Sequence, residues 1–198
     1  MTACIRRGDR IKDKTLGIRR DLLIQICDEL LKKGDTLCYR DRAVMLCLYH
    51  AIGRGGEVST LNFQMMNWDE NDDILWTGWH EAKTSQENEI SYHPDRLSYK
   101  VDVIHALACY IVTQGGRLNS GDPETKDWLF PEFYNLASGG ASSKATRVLK
   151  SLVDKIPNLL AEHASHGLRA GPSDDLAMNE LVDVISMICR GNWYVIYS

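Results

Sequence analysis

Arg54 and Glu57 stand three residues apart in Ala51-Ile-Gly-Arg-Gly-Gly-Glu-Val58, where an apolar helical pattern runs into glycines and restarts. An arginine at such a junction keeps its planar fork free to grip an oxyanion in two places. Lys83 lies in Glu81-Ala-Lys83-Thr84, at a turn between two strand-like stretches. Further on, Ser165-His166-Gly-Leu-Arg169-Ala-Gly171 puts His166 and Arg169 three apart, hence on one face of a helix start. Near the end, Arg190-Gly-Asn-Trp193 sets an indole after a glycine turn, and a buried indole N–H needs an acceptor. Each stretch alone also fits a plain role: a capped junction with an ion pair, a lysine protecting a sheet edge, a cap with a salt bridge. His163 and His166 with an added carboxylate suggest a metal hydrolase, but two histidines are not a sufficient ligand set. No HExxH motif or cysteine pair completes one.

The elements that must position these groups can be read from periodicity. Residues 20–33, RDLLIQICDELLKK, carry Leu22, Leu23, Ile26, Leu30 and Leu31 at helical spacing, and Gly34 is a stop signal. A second helix, expected from Arg40 to Ile52, is apolar nearly all round after its charged first turn and belongs in the centre of the core. Between Leu61 and Pro94 the texture predicts three short antiparallel strands, separated by DENDD and KTSQENE. Helices are then expected over Tyr99 to Thr113, Ser142 to Ile156, Leu168 to Met178 and Glu180 to Cys189. The Gly115 to Gly140 stretch reads as a long surface connection anchored by Trp128, Leu129 and Phe130. Helices, a small meander and helices again make an α+β fold, mostly helical with a small three-stranded antiparallel sheet.

At 198 residues and 44% hydrophobic, the chain can bury one sizeable core. No apolar run reaches the roughly 18 residues of a membrane span, and the N-terminus is charged where a signal peptide would be apolar. A soluble intracellular protein, without membrane association, is expected. The six cysteines, Cys4, Cys27, Cys38, Cys47, Cys109 and Cys189, include no CxxC pair and read as reduced core residues. The overall net charge is −4, yet residues 1–20 hold seven Lys/Arg against two Asp, a net of +5 that leaves −9 for the rest. A basic arm over residues 1–19 would thus precede a domain over 20–198. Such an arm can track phosphates or simply be a solvated terminus.

Taken together and in this order, Arg54, Glu57, Lys83, the His166-x-x-Arg169 pair and Trp193 resemble the tyrosine recombinase and phage integrase family. The HGLRAG and RGNW stretches look most like Crypton-type transposon recombinases. The resemblance implies a catalytic domain for DNA strand breakage and rejoining, acting on double-stranded DNA and assembling as a homo-oligomer on that DNA, in the nucleus, with no metal and no small-molecule cofactor. It also implies roles. Arg54 and Arg169 would stabilise charge on the scissile phosphate. Lys83 would protonate the leaving oxygen, His166 would assist proton transfer, Trp193 would donate to a phosphate oxygen, and Glu57 would orient the cluster. The family's nucleophilic tyrosine comes about nine residues after the Trp193 position, on the next helix. Only five residues follow Trp193, among them Tyr194 and Tyr197. The expectation is therefore a domain incomplete at both ends that neither cleaves nor joins DNA, with Tyr197 the remaining substitute nucleophile. The alternative is a non-catalytic DNA-binding or protein-interaction domain on the same fold.

Overall fold

The computed structural model of the protein describes residues 16–52, 54–80, 87–114, 128–134 and 140–177. Its elements run α1 (Arg20–Lys33), α2 (Thr36–His50), α3 (Gly55–Ser59), β1 (Leu61–Asp69), β2 (Ile74–His80), β3 (Glu87–Tyr92), α4 (Val103–Thr113), α5 (Pro131–Tyr134), α6 (Gly140–Leu152) and α7 (Ser165–Ala177). Helix α1 buries Leu22, Leu23, Ile26, Cys27 and Leu30 along one stripe. It ends at Gly34, whose φ of 65° is the left-handed conformation that closes a helix without a Cβ clash.

Helix α2 is the centre of the molecule, in contact with α1, α4, α6 and α7. It begins at Thr36, four residues before the expected Arg40, because the Asp35 side chain accepts the Cys38 N–H and caps it. The charged residues Arg40, Asp41 and Arg42, now in its second turn, are buried. Arg40 bonds Asp41 and Glu132 and lies over the Phe133 ring, while Lys144 reaches Asp41. Arg42 is wholly buried and donates to the carbonyls of Tyr99 and Lys100 and to His105 Nδ1. These bonds, with Arg20 to Asp95, Lys100 to Asp28 and the His50 ring to the Val101 carbonyl, lash residues 95–101 to α1 and α2. The segment between β3 and α4 is therefore fixed, and helix α4 starts at Val103 behind an Asp102 cap, not at Tyr99.

The three strands form one antiparallel sheet in the order β1-β2-β3, with an irregular register between Asn62 and Asn67. Trp68, Leu75 and Tyr92 pair across it, so they share a face, and Leu75 and Tyr92 are buried. Trp128, Leu129 and Phe130 are core residues, tied to the start of β1 by the Leu129 N–H to the Leu61 carbonyl. Helix α6 spans Gly140–Leu152 and not Ser142 to Ile156, and α7 starts at Ser165, three residues before the expected Leu168. The expected helix over Glu180 to Cys189 and residues 1–15 of the basic arm lie outside the described residues. Among the described residues, no helix is long and apolar enough to cross a membrane.

Candidate functional site

The Arg54 junction is built by an unusual backbone turn. Ile52 adopts a φ of 50°, a left-handed conformation that is unfavourable for a β-branched residue. Its side chain is buried, so packing holds the turn where propensity would not. Arg54 then leaves in an extended conformation, exposed, and its backbone N–H donates to Glu57 Oε2 at 2.6 Å. Glu57 thus fixes the main chain at Arg54, as an acidic third residue does when it caps a helix start.

Helix α6 is the platform that joins the two halves of the site. Ser59 Oγ donates to the Gly55 carbonyl at 2.7 Å and accepts the Ala141 N–H at 3.1 Å, which clips α3 to the first turn of α6. At Gly55 a Cβ would stand 2.0 Å from Ser142 Oγ, so only glycine permits this approach. One turn along α6, Thr146 Oγ1 accepts the Ser165 N–H at 3.1 Å and caps the start of α7. Ser142 and Thr146 are four apart and share a helix face, so the beginnings of α3 and α7 are held about one helical turn from each other.

This brings Arg54, Glu57 and Arg169 into one cluster. Burial lowers the Arg169 guanidinium below the ordinary arginine value, the Arg54 guanidinium lowers it further, and the Glu57 carboxylate opposes both. Two guanidinium groups at one place destabilise each other unless an anion meets them. His166 is exposed, in the first turn of α7 and three residues before Arg169. Behind the cluster, the Tyr92 phenol is pushed well up by burial, by the Cys47 thiol and by Glu57, so this tyrosine is a buried, protonated group and no nucleophile. His163 is occupied structurally, its Nδ1 accepting the Leu160 N–H at 2.9 Å. No group of three His, Cys, Asp or Glu residues able to hold a metal occurs among the described residues.

Lys83, Trp193 and Tyr197 lie outside the described residues. Sequence reasoning missed the positioning roles of Ser59 and Thr146. A Ser/Thr-rich start to α6 was visible, but its partners lie on other elements.

No family model matches the sequence, and no curated protein matches it. Among solved structures, 17 chains match. One is the XerH site-specific recombinase bound to palindromic difH substrate, in a post-cleavage complex. The match has a TM-score of 0.61 at 12% identity and covers 96% of this chain and 49% of that one. The chain spans about half the length of that recombinase. The likeness establishes the fold: α+β, mostly helical with a small three-stranded antiparallel sheet, as in a tyrosine recombinase catalytic domain.

Proposed function

We propose that this chain is a recombinase-type domain that binds double-stranded DNA and grips a backbone phosphate between Arg54 and Arg169. The observation that carries the reading is that α6 holds the starts of α3 and α7 together, so that the Arg54 and Arg169 guanidinium groups, 115 residues apart in the chain, act on each other beside Glu57. A phosphodiester would carry negative charge to both guanidinium groups and accept fork-like hydrogen bonds from them. His166, three residues from Arg169, would hand a proton to or from the reacting oxygen, and Glu57 would keep Arg54 aimed.

Lys83 and Trp193 complete the set on the strength of the motif order alone, as proton donor to the leaving oxygen and as an indole N–H on the phosphate. Covalent strand transfer needs a tyrosine phenol, because guanidinium groups stabilise charge and do not attack. What the described residues of the cluster offer is phosphodiester binding and charge stabilisation. Within the fold, HGLRAG and RGNW support a likeness to Crypton-type transposon recombinases, with action in the nucleus and assembly of copies on DNA.

Affinity for a duplex, measured by fluorescence anisotropy, tests the site. Arg54→Ala and Arg169→Ala should each weaken binding roughly ten- to a hundredfold, since a charged hydrogen bond contributes about 1.5–3 kcal/mol. Removing residues 1–14 should cost less at physiological salt, where exposed charges are screened. Equal losses would remove the site from the account. A covalent protein–DNA adduct on a nicked suicide substrate that vanishes in Tyr197→Phe would replace binding with catalysis.

A further inference from the structure

The back of α7 carries a contact with the residues that precede α1. Residues 16–18 run across the helix just before α1, and the Ile18 N–H donates to the Gly167 carbonyl at 2.8 Å. Ile18 is fully buried. A Cβ on Gly171 would fall 1.9 Å from the Ile18 carbonyl oxygen and 2.5 Å from its carbon, and one on Gly167 would fall 2.4 Å from the Leu16 carbonyl oxygen. Gly17 returns the contact, since its own Cβ would meet Gly171 N at 3.1 Å. Backbone here lies directly on backbone, at two glycines one helical turn apart.

At about 100° per residue, Gly167 and Gly171 share a face and Arg169 points about 180° away from it. The strap therefore presses on one side of α7 while Arg169 reaches Arg54 and Glu57 on the other. The atoms that an alanine would meet are main chain and cannot rotate aside, so the helix or the strap must shift by about 1 Å, and displacements of that size at a charge-binding site cost up to about a hundredfold.

We propose that Gly167 and Gly171 are positioning residues, whose missing side chains seat residues 16–18 against the back of α7 and so set where the Arg169 guanidinium stands relative to Arg54 and Glu57. The functional part of this rests on the phosphate-binding reading above. The geometric part does not.

The test uses the full chain labelled with nitrogen-15. The Nε–Hε resonance of Arg169, assigned through Arg169→Lys, is followed in Gly171→Ala, in Gly17→Ala and in Leu107→Ala, a core truncation on α4 that lowers stability elsewhere. Duplex affinity is measured in parallel. The resonance should move in Gly171→Ala, its response to Arg54→Ala should fall by at least half, and duplex affinity should fall at least tenfold. Should Gly171→Ala not fold, Gly17→Ala imposes a gentler crowding, and the same resonance should move by a smaller amount. A resonance that stays in place in the folded variant overturns the proposal, as does an equal shift in Leu107→Ala, which would mean that it reports lost stability only. A shift with unchanged affinity keeps the positioning role and removes the phosphate reading instead.

Discussion

Replacing Arg42 by methionine tests the claim that this guanidinium holds the segment between β3 and α4 in place. Arg42 is fully buried and donates to the carbonyls of Tyr99 and Lys100 and to His105 Nδ1. Methionine fills much of the volume but leaves two carbonyls that had been paired, at about 1–3 kcal/mol each. Relief from burying a charge offsets part of that, so the expected loss is about 3 kcal/mol of a domain stability of about 5–15 kcal/mol. Urea unfolding followed by circular dichroism measures it. The pH dependence supplies a second readout. Burial lowers His105 from its ordinary 6.5, the Arg42 charge lowers it further, and Asp102 opposes them. A histidine whose folded value is depressed binds fewer protons when folded, so wild-type stability falls as the pH drops below 6.5, toward the folded value. With Arg42 gone, one cause of the depression goes and that fall becomes shallower. A loss under about 1 kcal/mol with an unchanged pH profile would refute the reasoning, because the bonds would then contribute no more than an ordinary surface pair.

The Asp95 carboxyl lies below its ordinary 3.8 although burial pushes it up, because hydrogen bonds from Arg20 and from the Leu97 and Ser98 N–H groups outweigh that burial. Asp95→Asn should therefore cost about 1 kcal/mol near neutral pH, discounted for the partly exposed Arg20, and the gap to wild type should close as the pH falls below 3.8 and through the folded value; paired urea midpoints at pH 7 and pH 3 check this. Burial pushes the thiols of Cys27 and Cys47 up to about 12, whereas Cys109 is partly exposed. Iodoacetamide at pH 8 should alkylate Cys109 at least about tenfold faster than either, as read by peptide mass spectrometry, and equal rates would mean that the core opens freely.

Local chemistry accounts for what could be read from the chain. The α1 stripe and its Gly34 stop are complete within fifteen residues, and the structure shows them where periodicity puts them. The three strands follow from short apolar runs divided by polar turns. Boundaries slip where the deciding partner is tertiary. The first N–H of α7 is satisfied by Thr146 from another helix, so nothing adjacent to Ser165 marks that start. Arg42 reads only as part of a charged first turn, and its burial depends on two carbonyls more than fifty residues away. Arg54, Glu57, His166 and Arg169 were legible as types and spacings. That α6 would hold the starts of α3 and α7 one turn apart was not, because periodicity carries no information about which helices meet.

The strap has a kinetic consequence. Ile18 and Gly167 are joined by a hydrogen bond across nearly the whole described chain, so the contact closes a loop of about 150 residues. A chain emerging from the ribosome makes residues 16–18 first and α7 last among these elements. Until then Ile18 has no helix to cover it and the glycine face of α7 does not exist. Contacts of such separation form late and slow the approach to the native state. The seating of α7, and of Arg169 on it, therefore waits on a closure that no local element can make alone.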